Sequence, residues 1–271
     1  AVRGIGAFLV RESGITDYQA ICRQMLKLFS NAGGKVMWST EVNRIIENPS
    51  EITVHAGNEA FTAGQLIVCG GLMADRLALM QGLEIDFRVI PFRGEYFRLA
   101  SEKSGLIKHL IYPIPDPALP FLGVHLTRMI DGSVTIGPNA VQGWKREGYG
   151  AFNFNWRDTA EILSYSGFWR LAGGNIRHGL REYRNSLWKR SYLKQIRQYC
   201  PQIKLSDFRP HRTGVRAQVV LADGTLVHDF LFQETPRSLH VCNAPSPAAT
   251  SAIPIGEYIC DKVTAKIAAQ A

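Results

Sequence analysis

A handful of side chains in this sequence could between them take a proton and hold an anion. Arg216, in Gly214-Val215-Arg216-Ala217-Gln218, offers a planar guanidinium fork that matches a carboxylate. Its ordinary alternative is an inter-strand salt bridge. His125, in Val124-His125-Leu126-Thr127-Arg128, has an intrinsic pKa near neutrality and suits a general base. Its ordinary alternative is a hydrogen-bonded core histidine. Strand alternation puts His125 and Thr127 on one face and Arg128 on the other. Tyr96, in Phe92-Arg93-Gly94-Glu95-Tyr96-Phe97, carries a hydroxyl that can bind a carboxylate or an alcohol. Arg93 and Tyr96 alternate oppositely, so only one faces a given pocket unless Gly94 makes a bulge. Lys145 and Arg146 could supply a further cationic contact or form a plain solvated loop.

Two stretches could receive a ligand through the backbone. Leu66-Ile67-Val68-Cys69 runs into Gly70-Gly71 and then a helical stretch. A strand, paired glycines and a helix allow close approach to a helix N-terminus. Asn243-Ala244-Pro245-Ser246-Pro247-Ala248-Ala249-Thr250-Ser251 opens the last helix. Its amides and positive dipole end suit negative charge.

The elements that must position these groups follow from the patterning. Tyr18, Ile21, Cys22, Met25, Leu28 and Phe29 recur at helical spacing, and Gly33-Gly34 ends that helix. Short strands are expected at Lys35–Trp38 and Val42–Ile46. A hairpin is expected from Ile52–Ala56 to Glu59–Phe61 across Gly57-Asn58. The middle is strand-rich, at Val89–Leu99, Leu110–Tyr112, Phe121–Leu126 and Ser133–Ile136. Trp156–Cys200 reads as helical and strongly basic, from Arg170 through Arg177, Arg181, Arg184, Lys189, Arg190 and Lys194 to Arg197. Strands return at Gly214–Leu221 and Phe230–Glu234, read as a hairpin around Ala222-Asp223-Gly224. Leu239–Cys242 and a helix from Ala248 to Ala268 close the chain. The layout is discontinuous. Residues 1–85 and 205–271 form one domain, and 86–204 form an inserted antiparallel-sheet domain.

Composition narrows the class. The chain has 271 residues, 46% hydrophobic and 20% charged, which excludes a disordered chain and leaves material for a core. The net charge of +8 suits an anionic ligand or surface without choosing one. No apolar run reaches the length of a membrane-spanning helix. Five cysteines at wide spacing read as free, mostly buried thiols in a reducing compartment. The seven histidines show no metal-type pairing, so no metal is expected.

Standard nucleotide and hydrolase motifs fail. Gly4-Ile5-Gly6 has Leu9 where the third fingerprint glycine belongs. Gly34-Lys35 has Phe29 in place of the first phosphate-loop glycine and Val36 in place of Ser or Thr. There is no Gly-x-Ser-x-Gly elbow. Asn48-Pro49-Ser50 is blocked by its proline as a glycosylation acceptor.

Several stretches taken in order are more specific. They are Pro91–Phe97, His109–Pro117, Phe121–Arg128, Ile136–Ala140, Lys145–Tyr149, Gly214–Gln218 and Asn243–Ser251. Together they resemble the L-2-hydroxyglutarate dehydrogenase/oxidase family of the FAD-dependent, D-amino-acid-oxidase-like superfamily. The resemblance covers nearly the whole chain. It implies a mixed α/β and α+β fold, with an incomplete Rossmann-type FAD domain and an inserted substrate domain. The expected glycine fingerprint and the flavin-proximal His motif are not found. The chain, which opens on Ala1, is therefore expected to be the C-terminal two-thirds of such an enzyme.

The resemblance also implies the chemistry, FAD-dependent oxidation of a 2-hydroxy acid such as L-2-hydroxyglutarate. Arg216, His125 and Tyr96 are then the catalytic candidates. Arg93, Thr127, Lys145 and Arg146 are the substrate-binding candidates. Val42, Gly70, Gly71, Asn243, Pro245, Ser246, Ala248, Ala249, Thr250 and Ser251 are the cofactor-binding candidates. The implied partners are a dicarboxylate substrate and a quinone or oxygen as electron acceptor. The implied location is cytoplasmic, with peripheral contact at the inner face of the membrane. Two alternatives stand beside it: an FAD-dependent oxidase of amino acids such as glycine or sarcosine, and a non-catalytic module using the Arg170–Arg197 basic stretch on nucleic acid or anionic lipid. Nucleic acid is not expected, because the basic stretch lacks interleaved aromatics.

Overall fold

The computed structural model describes residues 6–114, 123–139, 141–150, 153–174, 189–244 and 248–270. The chain divides into two compact units. The first draws on Ala1–Asp17, Pro91–Ser164 and Trp169–Arg216, and the second on Tyr18–Ile90, Tyr165–Phe168 and Ala217–Ala271. The main divisions fall at 90/91 and 216/217, where sequence patterning suggests 85/86 and 204/205. The later second boundary keeps Arg216 in the same unit as Tyr96 and His125.

In the second unit, α1 spans Tyr18–Asn31. Gly33 follows it at φ 89°. The amide of Gly34 donates to Phe29 O and that of Gly33 to Ser30 O, each at 3.0 Å. This paired closure needs a residue that tolerates the left-handed region, which explains the glycine. No α1 residue is buried among the described residues, and Leu28 and Phe29 stay exposed. Lys35–Trp38 forms no strand, contrary to expectation. Ser39 turns the chain at φ 53°, and Met37 and Trp38 are exposed rather than paired.

Strands β1 (Val42–Glu47), β2 (Ile52–Ala56) and β3 (Glu59–Ala63) form an antiparallel meander. Ala56 pairs with Glu59 around the two-residue turn at Gly57-Asn58, as the sequence suggests. Strand β4 (Leu66–Val68) leads through Gly70 and a 3-10 turn (Gly71–Met73) into α2 (Ala74–Met80).

The remaining strands, together with β4, form three further sheets. Strand β5 (Phe87–Gly94) is followed by β6 (Phe97–Leu99), so the expected single strand Val89–Leu99 breaks at Glu95–Tyr96. Strands β7 (His125–Arg128), β8 (Val134–Gly137), β9 (Val141–Gln142) and β10 (Phe208–Pro210) complete the first unit's set. Strand β11 is Gly214–Leu221, β12 is Leu231–Glu234 and β13 is Ser238–Asn243. The hairpin expected between β11 and β12 is not formed. The turn at Asp223-Gly224 returns only to a bridge between Val220 and Leu226, and β12 pairs with β13 instead.

The second unit's layered part is the sheet β12-β13-β4, in which β13 runs parallel to β4. Every residue of Ser238–Cys242 is buried, so both faces are covered. Leu239 and Val241 pack on Ile259 and Val263 of the last helix, α5 (Ala252–Gln270). Cys242, on the alternate face, packs with Ala74 of α2, Phe87, Val89 and Val219. His240 shares that face. It is 1% exposed, and its Nε2 lies 2.6 Å from Gln81 Oε1. Gln81 Nε2 donates to Glu47 and Ser238, both at 2.8 Å, and Thr235 Oγ1 also donates to Glu47. Because Gln81 presents its oxygen to His240, the imidazole must donate through Nε2.

The first unit is built on the four-stranded antiparallel sheet β10-β6-β8-β7. Leu99, Leu126, Val134, Ile136 and Phe208 form a core with Tyr192 and Ile196 of α4 (Lys189–Tyr199). The expected long helical stretch breaks at Ser164–Tyr165, after α3 (Trp156–Leu163); residues 166–174 and α4 are helical, and 175–188 lie outside the described residues. Asn155 caps α3 by accepting the Asp158 amide at 3.0 Å.

All five cysteines are free thiols; Cys200 and Cys242 are buried, but Cys22, Cys69 and Cys260 are exposed, against the expectation of mostly buried thiols. Cys22 is exposed because it lies on α1, where nothing is buried. No helix among the described residues is long and apolar enough to cross a membrane.

Candidate active site

The candidate site of the first unit follows from the register of its sheet. Phe97 pairs with Ile136 and Pro210, Ile136 with Leu126, and Leu126 with Ile111 through an isolated bridge. The side chains of Phe97, Ile136, Leu126 and Ile111 belong to the core. One step along every strand, alternation turns the next row to the opposite face. That row reads Tyr112, His125, Gly137, Tyr96, His211. His125 and Gly137 are direct partners. The Tyr112 and His125 rings stack at 4.3 Å and 23°. The Tyr96 and His211 rings meet edge-on at 6.5 Å.

Gly137 sits in the middle of the row, closely packed against the neighbouring strand. A Cβ there would stand 2.7 Å from Glu95 O and 3.3 Å from Tyr96 Cα. Thr127 lies two residues from His125 on the same face, and its Oγ1 is 3.3 Å from the Tyr112 hydroxyl. Arg216, half-buried on β11, is close enough to Tyr96 to favour its ionised form. Burial is the larger influence on Tyr96 and raises its pKa, with Tyr112 adding to the rise. Tyr96 therefore keeps its proton near neutrality and can donate a hydrogen bond.

His125 Nδ1 lies 3.1 Å from Gly123 O. A carbonyl can only accept, so Nδ1 carries the proton and Nε2 of the neutral ring holds a lone pair. Burial lowers the His125 pKa, and the Gly123 hydrogen bond partly opposes this. The ring is therefore neutral at pH 7 and able to accept a proton. The row and Arg216 thus gather a cation, a phenol donor, a hydroxyl and an imidazole base in one unit.

The other substrate candidates are placed elsewhere. Arg93 donates to Gly150 O at 2.9 Å and secures the 143–150 loop. Arg146, read from the sequence as a further cationic contact or part of a solvated loop, is 2% exposed. Its guanidinium meets Glu161 at 3.3 Å, and its amide donates to Asp158 at 2.8 Å. A buried cation must be paired, and Arg146 spends its charge holding the loop to α3 rather than meeting an external carboxylate. Lys145 is half-buried beside it in the same loop.

The cofactor candidates lie in the second unit. Parallel pairing sets Val68 against His240, so β4 and β13 end side by side, in Gly70-Gly71 and in Asn243. Ligands of parallel sheets sit beyond such carboxyl ends. Gly71 is at φ 52°, and nothing lies within 4 Å of where its Cβ would be. Gly70 is packed instead, since a Cβ there would meet Leu77. Asn243 uses its amide to hold the carbonyl of Asp229 at 2.6 Å. Ala248–Ser251 forms a 3-10 turn ahead of α5, with Ala249, Thr250 and Ser251 exposed. Pro245 and Ser246 lie outside the described residues. Val42 is half-buried on β1, opposite Ala56. Of the basic stretch, Arg177, Arg181 and Arg184 lie outside the described residues, and Arg197 donates to Ile203 O at 3.2 Å.

Two row members, Tyr112 and His211, are not singled out by sequence reasoning. Tyr112 sits in the His109–Pro117 stretch, and only the Ile111–Leu126 bridge puts it beside His125. His211 follows Pro210, the partner of Phe97.

One unit thus carries a parallel strand pair ending in Gly70-Gly71 and Asn243, and the other a row of Tyr112, His125 and Tyr96 with Arg216. The family model for FAD dependent oxidoreductases matches residues 2–262, and the chain belongs to that family. It is 53% identical over 271 residues to the L-2-hydroxyglutarate dehydrogenase of Escherichia coli K12, covering 99% of this chain and 64% of that protein. It is 39% identical over 278 residues to the human mitochondrial L-2-hydroxyglutarate dehydrogenase, covering 96% of this chain and 60% of that one. The chain thus spans a little under two-thirds of the length of these relatives. Among solved structures, its fold matches an FAD-bound L-alpha-glycerophosphate oxidase from Mycoplasma pneumoniae (TM-score 0.58, 20% identity, 86% of this chain and 52% of that one). It also matches a glycine oxidase from Bacillus cereus (TM-score 0.54, 14% identity, 88% of this chain and 53% of that one).

Proposed function

We propose that this chain carries the substrate-binding part, and a portion of the cofactor-binding part, of an enzyme that oxidises L-2-hydroxyglutarate to 2-oxoglutarate with FAD. The observation that carries it is the row Tyr112–His125–Gly137–Tyr96, with Arg216 beside Tyr96. The first unit acts as the substrate domain and the second as the FAD domain.

The residues of the row have separable tasks. Arg216 holds the carboxylate next to the hydroxyl-bearing carbon through two parallel hydrogen bonds. Tyr96 donates its phenol hydrogen to the same carboxylate, and Thr127 offers a hydroxyl to the substrate oxygen. His125 takes the alcohol proton on Nε2, because its Nδ1 is committed to Gly123. Fixing the carboxylate and the base together sets the C2–H bond in one direction. Bound FAD would supply the acceptor for the hydride on C2.

The second unit fits part of that cofactor. The open side of Gly71 admits a ligand edge against the backbone. Gly70, Gly71, Asn243, Pro245, Ser246, Ala248, Ala249, Thr250 and Ser251 would hold the flavin side, and Val42 the adenine side. Arg93 acts through the 143–150 loop, Lys145 remains a candidate for the distal carboxylate, and Arg146 positions that loop. The electrons pass on to a quinone or to oxygen. The enzyme is cytoplasmic, with peripheral contact at the inner membrane face. The acceptor and the location are supported by the sequence resemblance.

Anaerobic mixing of the flavin-loaded enzyme with L-2-hydroxyglutarate tests the proposal. The flavin absorbance should bleach with that acid and persist with glycine or sarcosine. Bleaching by the amines and not by the hydroxy acid would overturn it.

A further inference from the structure

We propose that Tyr112 is a positioning residue for His125, clamping the imidazole so that Nδ1 stays on Gly123 and Nε2 stays presented to substrate. The inference rests on the reading of His125 as the base. Three contacts carry it. The rings of Tyr112 and His125 stack at 4.3 Å and 23°, which fixes the imidazole plane. The Tyr112 hydroxyl lies 3.3 Å from Thr127 Oγ1, on the same strand as His125, so the tyrosine is held at its far end as well. Its backbone is set by the neighbouring Ile111, which exchanges both amide bonds with Leu126, at 2.9 and 3.0 Å.

A tyrosine kept only for packing would belong in the core. Tyr112 is instead 46% exposed and on the face opposite Leu126, which is 0% exposed. It covers one face of the ring. Among the described residues, the charged and titratable groups on the His125 side of the sheet include Tyr112 itself, Tyr96 across Gly137, Arg216 and His211 beyond Tyr96, and Arg98, which pairs with Asp131 at 3.0 Å and acts on His211 together with Arg212. Arg128, on the core-facing side, donates to Ile107 O at 3.1 Å. Tyr112 is thus the neighbour whose removal would let water reach the imidazole.

Two variants separate the contacts. Tyr112→Phe keeps the stack and loses the hydroxyl contact. Tyr112→Ala loses both. The first readout needs no cofactor: NMR titration of the His125 ring, giving its pKa and tautomer. The wild-type ring and Tyr112→Phe should titrate below 6.5 with the proton on Nδ1. Tyr112→Ala should titrate closer to 6.5 with a mixed tautomer population.

The second readout is the pH profile of the flavin-loaded enzyme with L-2-hydroxyglutarate. The acidic limb of kcat/KM should move upward in Tyr112→Ala by the same amount as the ring titration. Its plateau should fall about ten- to hundredfold, as for a misplaced reacting group. Phe should restore most of that rate. An unchanged His125 titration and tautomer in Tyr112→Ala would overturn the proposal, whatever the activity. A changed titration in an enzyme that leaves 2-hydroxy acids untouched would instead overturn the reaction assigned to His125 and leave the clamp standing.

Discussion

Gly137 brings its Cα so close to Tyr96 that a methyl group there would lie 3.3 Å from Tyr96 Cα and 2.7 Å from Glu95 O. It also pairs with His125 on the next strand. The residue without a side chain therefore separates the phenol from the imidazole. Its φ of 131° is a conformation that side chains rarely adopt. Gly137→Ala should destabilise the protein by about 1–3 kcal/mol, read as a lower urea midpoint, because strain and overpacking act together. An unchanged midpoint would mean that the backbone shifts freely and the close approach is not fixed.

His125 makes the pH dependence specific. Burial holds its pKa below 6.5, so it is neutral at pH 7 and gains a proton only in more acidic solution. The kcat/KM for a 2-hydroxy acid should be flat near neutrality and fall on the acid side with an inflection below 6.5. His125→Gln should remove that inflection and lower kcat by about 10²–10⁴-fold. An inflection that survives in His125→Gln belongs to another group.

His240 predicts an effect on stability rather than on rate. Burial pushes its pKa down to about 4, although Glu47 pulls the other way. In the unfolded chain it titrates near its ordinary value of 6.5. Between those values the unfolded state binds a proton that the folded state refuses. Stability should then fall by about 1.4 kcal/mol for each pH unit below 6.5. Urea denaturation at pH 7.5 and 5 should show the loss in the native protein and a shallower pH slope in His240→Gln. Equal slopes would place the acid sensitivity elsewhere.

The structure makes plain why parts of this site are readable in the sequence and others are not. Gly33-Gly34, Gly57-Asn58 and the strand into Gly70-Gly71 are local signals, and each forms the expected turn or helix start. The opposite faces of Leu126 and His125 follow from strand alternation alone. The failures come from long-range pairing. Nothing local tells Leu231–Glu234 to choose β13 over β11, or places Tyr112 beside His125. The two readings of Arg146, an anion contact or a solvated loop, cannot be separated for the same reason. Its loop composition looks solvated, and only the fold brings Glu161 and Asp158 onto it. Lys35–Trp38 shows the converse, an apolar run with no neighbour to pair with.

Arg216 is where the proposed function is most exposed to test. If its guanidinium receives the substrate carboxylate, removing it costs charge-assisted hydrogen bonds of about 1.5–3 kcal/mol. Anaerobic titration of the flavin-loaded Arg216→Ala enzyme with L-2-hydroxyglutarate should need roughly ten- to hundredfold more acid for half-maximal bleaching than the native enzyme. Arg216→Lys should fall between the two. Native-like bleaching in Arg216→Ala would contradict the assignment of this arginine, and with it the site built around Tyr96 and His125.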